Sequence, residues 1–249
     1  TGEGAFTSDG GTDISTNAMR GQGIWKSTDG GETFTRLSST WGTTDAENIF
    51  YEISRMAADP NDANRIYAAT KEGLMVSSDG GGTWTQGVAG AYGSNGAKDV
   101  KVASDGTVAV NIGSRIYVSD SGDPETFENR SPATSIRQEL AFAPTDPNYI
   151  YVQATASDGS MMNIYKSIDK GKNWTVIGAG GVSYFNPLGN QGTYDNGIDV
   201  FTDDKDKVIV GGQYSLWLGV ISGGAYGWEP ITTWYLSETN PNYVHADHP

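Results

Sequence analysis

Two histidines and an aspartate stand together at the end of the chain, in Tyr243-Val244-His245-Ala246-Asp247-His248. They form the one cluster of transition-metal ligand types. Strand alternation puts His245 and Asp247 on one face and His248 on the other. One strand then supplies two ligands, so a metal or substrate site there needs help from another element. Oxygen-rich turns recur at Asp59-Pro60-Asn61-Asp62 and Asp203-Asp204-Lys205-Asp206. Calcium is the cation such oxygens suit, although their spacing matches no EF-hand loop and Asp and Asn are ordinary turn residues. There are 30 acidic side chains, so a facing pair for glycoside hydrolysis is always available by number, with Glu3 a candidate for a central position. Aromatic side chains outside regular repeat positions include Tyr184, Phe185, Tyr194, Trp234 and Tyr235. Their flat faces suit stacking on sugars or on peptide surfaces. The segment from Tyr184 to Tyr194 is long and glycine-rich, as binding loops are.

Composition removes other chemistries. Cysteine is absent, which excludes disulfides, a thiol nucleophile and thiolate metal sites. His245 and His248 are the only histidines, which excludes a Ser-His-Asp triad in the body of the chain. The net charge is −14, so nonspecific binding to nucleic acid or to an anionic membrane surface is disfavoured. No apolar stretch approaches a membrane span, so membrane insertion is not expected. The chain opens on Thr1 without Met or a signal peptide, and we read it as a mature or trimmed segment.

These groups must be positioned by a repeat. Gly23-Ile24-Trp25-Lys26-Ser27-Thr28-Asp29-Gly30-Gly31-Glu32-Thr33-Phe34 recurs as Gly73-Leu74-Met75-Val76-Ser77-Ser78-Asp79-Gly80-Gly81-Gly82-Thr83-Trp84. It recurs again as Asn163-Ile164-Tyr165-Lys166-Ser167-Ile168-Asp169-Lys170-Gly171-Lys172-Asn173-Trp174, with a looser copy over residues 115–127. In each copy an apolar run enters, a Ser-Asp-Gly turn follows, and an aromatic leaves, which is a hairpin. The Asp accepts hydrogen bonds from its own turn, and Gly supplies positive φ. Hence Ser27, Asp29, Gly31 and Phe34, with Ser77, Asp79, Gly81 and Trp84 and with Ser167, Asp169, Gly171 and Trp174, are assigned structural roles. A second hairpin with an Asp/Pro/Asn turn precedes each copy. Four antiparallel strands every 45 to 50 residues predict an all-β propeller with about five blades.

The expected blades are residues 1–40, 49–88, 97–130, 136–178 and 195–234, within a single propeller domain or fragment spanning 1–249. Residues 242–249 then open a further or closing blade. Pairing of the two ends closes a five-bladed ring; the alternative is an arc of a longer propeller.

The Ser-x-Asp-Gly-Gly-x-Thr-aromatic strings resemble the Asp-box, or bacterial neuraminidase repeat. That superfamily includes sialidases, xyloglucanases, sortilin-type receptors and a photosystem II assembly factor. The resemblance implies the propeller fold and is silent on activity. The Arg-Ile-Pro segment of sialidases and the Asp-Ile-Gly-Gly context of xyloglucanases are both missing. The strings Thr1-Gly2-Glu3-Gly4, Gly21-Gln22-Gly23-Ile24-Trp25-Lys26-Ser27 and Tyr243-Val244-His245-Ala246-Asp247 also resemble large secreted Bacteroidetes proteins, from which His248 departs. In those proteins such a propeller precedes adhesive modules and a C-terminal sorting domain, which implies further domains of the same polypeptide. The expected function is an extracellular or cell-surface module binding glycan or protein without chemistry of its own and without a cofactor. The alternatives are a glycoside hydrolase with a central carboxylate pair and, third, a scaffold in a larger assembly.

Overall fold

The computed structural model describes residues 21–44, 49–90, 96–182, 184–222 and 224–244. The described residues form five antiparallel sheets in sequence order. The first holds β1 (Trp25–Lys26) and β2 (Thr35–Arg36). The second runs β3 (Ile53–Asp59), β4 (Asp62–Thr70), β5 (Gly73–Ser77) and β6 (Thr85–Ala89). The third runs β7 (Ala97–Val102), β8 (Val108–Ile112), β9 (Arg115–Ser119) and β10 (Glu128–Asn129). The fourth holds β11 (Arg137–Ala143), β12 (Asp146–Thr155), β13 (Met161–Ser167) and β14 (Thr175–Ala179). The fifth holds β15 (Gly197–Val200), β16 (Val208–Gly211), β17 (Trp217–Ser222) and β18 (Ala225–Pro230). Each four-stranded sheet is an up-and-down meander, and the whole is a β-propeller of about five blades.

Period-two alternation places alternate residues of one strand in different cores. On β12, Tyr151 joins the cluster shared with the fifth blade, while Ile150, Val152 and Ala154 join the cluster shared with the third. On β4, Tyr67 and Ala69 face the third blade and Ala68 faces the first. Four hydrophobic clusters therefore sit between five successive blades. These blade-to-blade seams are the core, because a flat sheet must bury both faces against neighbours.

The Ser-x-Asp turns at Asp29, Asp79 and Asp169 close the hairpins between third and fourth strands. In the second blade, Ser77 Oγ donates to Asp79 Oδ1 at 2.9 Å and accepts the Gly81 N–H at 2.9 Å. Asp79 Oδ1 also accepts the Thr83 N–H at 2.8 Å. The same bonds recur around Asp29 and Asp169. The Thr83 N–H, then its hydroxyl, then Ser77 hold the Asp79 carboxyl down at about 2. Asp29 is lowered likewise by Thr33 and Ser27. Burial pushes Asp169 upward, but hydrogen bonds from Asn173 and Ser167 outweigh it and the net shift is downward. Both turn positions need positive φ: Gly30 and Gly31 lie at 76° and 96°, and Gly80 and Gly81 at 72° and 93°. In the fourth blade Lys170 takes the first of these positions at φ 58°, the one non-glycine with positive φ among the described residues.

Each interior turn seats on the preceding blade. Lys26 Nζ donates to the Gly80 carbonyl at 3.1 Å, and Leu37 lies where a Cβ on Gly81 would stand. Arg65 donates to the Ser121 carbonyl at 2.9 Å and pairs with Asp123. Arg130 donates to the Lys170 carbonyl at 3.0 Å, and Trp174 Nε1 donates back to the Arg130 carbonyl at 2.8 Å. The turns at Asp79 and Asp169 are thus clips between blades, with each acid consumed by its own turn.

Candidate functional site

Antiparallel strands send their turns to two opposite ends. First-to-second and third-to-fourth turns, including those at Asp29, Asp79 and Asp169, lie at one end. Second-to-third turns and the connections between blades lie at the other. Loops 180–196, 212–216 and 231–244 all belong to this second end.

That end gathers exposed aromatics. Tyr214, Trp234 and Tyr235 are 37%, 45% and 74% exposed. Tyr214 stacks on Trp234 with ring centroids 5.3 Å apart, and Trp234 meets Tyr235 edge-on at 6.2 Å. The platform is braced. Leu216 N–H donates to Thr232 Oγ1 at 2.9 Å, Ile231 N–H donates to the Leu216 carbonyl at 2.9 Å, and Thr233 bridges to Tyr243. Loop 184–194 abuts the same platform. Asn190 N–H donates to Gln213 Oε1 at 3.3 Å, and a Cβ on Gly189 would stand 2.7 Å from the Tyr214 ring.

Four of the five aromatics singled out from sequence are exposed at this end, since Tyr184 and Tyr194 are open as well. The fifth departs from expectation. Phe185 is 3% exposed, with its ring between Trp217 and Trp228 at 5.0 Å each, so it is core and offers no face to a ligand. Tyr214, absent from the sequence reading, joins because tertiary stacking brings the 212–216 loop beneath Trp234. An aromatic in a second-to-third turn was its only sequence signal.

The inner strands β3, β7, β11 and β15 surround a central cavity of about 360 Å³. Arg55, Lys101 and Asp199 supply its charges, and Val100, Phe142 and Ile198 are among its apolar walls. Two carboxylates sit behind that wall. Asp99 is fully buried, with Oδ1 3.4 Å from Arg55 Nε and 3.5 Å from Lys101 Nζ, and Oδ2 accepting the Leu140 N–H at 3.4 Å. Glu139 is 5% exposed and bonds Arg137 at 2.6 Å. Burial, then the negative charge of Asp99, push the Glu139 carboxyl up to about 7 against the pull of Arg137. Arg137 also donates to the Thr193 and Tyr194 carbonyls at 3.0 and 2.5 Å, which ties the channel wall to the aromatic loop.

The oxygen-rich turns are used internally. Asp59 Oδ1 accepts the Asn61 N–H at 2.8 Å, and Asp204 Oδ1 accepts the Asp206 N–H at 2.9 Å. Lys205 pairs with Asp146 at 2.9 Å, and Lys166 pairs with Asp206. Among the described residues, no group of three or more His, Asp or Glu is arranged to hold a metal ion. His245, Asp247 and Glu3 lie outside the described residues.

No protein family matches the sequence, and no curated protein matches it. Solved structures do resemble it. A GH74 enzyme from Niastella koreensis superposes with a TM-score of 0.61 at 21% identity, covering 83% of this chain and 34% of that one. The GH74 xyloglucanase from Xanthomonas campestris gives 0.61 at 18% identity, covering 84% and 36%. YCF48 bound to D1 peptide gives 0.53 at 15% identity, covering 84% and 60%. These likenesses establish the propeller fold. The chain spans about a third of the length of the two GH74 proteins.

Proposed function

We propose that this propeller is an extracellular or cell-surface module that binds glycan or protein through its aromatic end, with a glycan as the first ligand class to test. The carrying observation is the braced Tyr214–Trp234–Tyr235 platform, opposite the Asp boxes and continuous with loop 184–194. Aromatic faces pack on the C–H faces of sugar rings, and their polar atoms bond the rims. The likeness to GH74 proteins, one of them a xyloglucanase, supports a polysaccharide as the probe. Binding is favoured over hydrolysis because Asp99 and Glu139 are buried and held by cations rather than aimed across a cleft.

The test is affinity electrophoresis and calorimetry with soluble xyloglucan and a panel of other polysaccharides. Trp234→Ala should weaken binding by about 10-fold or more, the usual loss for a central aromatic anchor. Retardation by no glycan would overturn the glycan assignment. Release of new reducing ends would replace the binding reading with a hydrolytic one.

A further inference from the structure

The central cavity carries a charge pattern in which the aromatic end has no part. Arg55 on β3 and Lys101 on β7 line it, and both approach the fully buried Asp99. Their nitrogens stand 3.4 and 3.5 Å from Asp99 Oδ1, yet that oxygen receives no hydrogen bond among the described residues. Charge alone therefore holds the two cations, with no directional bond to fix them. Their side chains are 50% and 36% exposed, and neither donates a hydrogen bond to a described residue. Glu139, the other carboxylate behind the wall, is bonded by Arg137 instead. Two cations thus share one carboxylate, which leaves surplus positive charge on that side of the cavity. The surplus stands out in a chain of net charge −14.

The β15 side is the opposite. Asp199 lines the cavity there and is exposed. Its Oδ1 accepts the Val200 N–H at 2.8 Å, and it pairs with neither Arg55 nor Lys101. Met56, Val100, Phe142 and Ile198 supply apolar wall to the same space. The lining uses the later halves of β3, β7 and β11, so the cavity lies toward the end that carries the 59–62 turn. That is the end opposite the aromatic platform.

We propose that this cavity binds a small organic acid, its carboxylate taken by Arg55 and Lys101 and its far end donating a hydrogen bond to Asp199. A guanidinium fork matches a carboxylate in shape as well as charge, and the lysine adds a movable point charge. Phe142 and Val100 cover the carbon frame. The volume of about 360 Å³ is near the lower bound of ligand pockets, about 300–1,000 Å³. It suits one molecule the size of a monosaccharide or an amino acid. A bare inorganic anion would leave the apolar walls and Asp199 unmatched. Two sources supply the chemistry: a sugar acid, whose hydroxyls are the donors, and an amino acid, whose ammonium is. The proposal does not rest on the glycan reading, because the platform contributes no residue to this cavity.

Calorimetry at pH 7 tests it, with D-galacturonate and L-serine as probes. Galactose and serinol are their counterparts without a carboxylate, and inorganic phosphate is the control anion. At least one acid should bind with a Kd of about 1 mM or tighter, and its counterpart about 10-fold more weakly or worse. Whichever acid binds identifies the source, and binding of both makes the carboxylate the sufficient feature. Arg55→Gln should cost about 10-fold or more in affinity, the worth of a charged hydrogen bond, and Arg55→Lys should recover part of it. An unchanged urea midpoint verifies that the variant is folded; where it shifts, Lys101→Met reads the same loss. Asp199→Asn should weaken serine more than galacturonate, because an ammonium loses a charge partner and a hydroxyl does not. Neither acid binding at about 10 mM, ten times the expected Kd, overturns the proposal. So does phosphate binding as tightly as the acids, a counterpart matching its acid, or affinity that survives both Arg55→Gln and Lys101→Met.

Discussion

Identical motif bonds in different surroundings should have unequal worth, and Ser77 and Ser27 measure the difference. In both boxes the serine hydroxyl donates to the aspartate and accepts two backbone N–H groups, with near-identical lengths. Ser77 is 1% exposed and Gly81 is buried beneath Leu37, whereas Ser27 and Gly31 border solvent. Ser77→Ala strands the Gly81 N–H where water cannot reach it, which costs about 1–3 kcal/mol. Ser27→Ala exposes the Gly31 N–H to water, and the loss falls to about 0.5 kcal/mol. The predicted gap is therefore about 1–2 kcal/mol. Urea unfolding at low micromolar concentration reads it as a shift in midpoint, provided that the slope is unchanged. Equal losses, or a larger loss for Ser27→Ala, would refute the claim that packing against the preceding blade sets the value of each box.

Glu139 should make stability depend on pH. Its carboxyl stays protonated in the folded chain up to about 7, while an unfolded glutamate releases its proton near 4.5. The native state binds the extra proton in that window, so stability falls as pH rises from about 4.5 to about 7 and levels off above. Glu139→Gln should flatten this slope by up to about 3 kcal/mol across the window in denaturant titrations, and an unchanged slope would discard the assignment. Gly122→Ala should be severe, because its Cβ would stand 2.0 Å from the hydroxyl of buried Tyr67 at a φ of 72°. We expect a loss of about 2–4 kcal/mol by thermal unfolding, and a loss under 1 kcal/mol would contradict the packing there. For ligand binding, Tyr235→Ala should weaken any glycan that Trp234→Ala weakens, by a smaller factor, because Tyr235 meets Trp234 only at its edge.

The hairpin repeats made the propeller legible before any coordinates. Ser, Asp and Gly at fixed spacing form local bonds that depend on nothing distant, as the turns at Asp29, Asp79 and Asp169 show. Alternating strands likewise announce two buried faces. The aromatic end was legible in part, because loop aromatics such as Trp234 and Tyr235 stand out from repeat positions. Sequence does not say on which side of a loop a ring lies, however. Phe185 follows Tyr184 directly, yet it fills the seam beside Trp217 and Trp228 while its neighbour is open to solvent.

Local chemistry within about ten residues therefore determined the strands, the turns and their repetition. Tertiary packing alone decided which equivalent positions differ. It covered Gly81 with Leu37 and left Gly31 bare, and it set Asp99 beside Glu139, 40 residues along the chain. The physical reason is that hydrogen bonds inside a turn are paid for locally, whereas burial belongs to pairs of surfaces that meet only when the blades assemble.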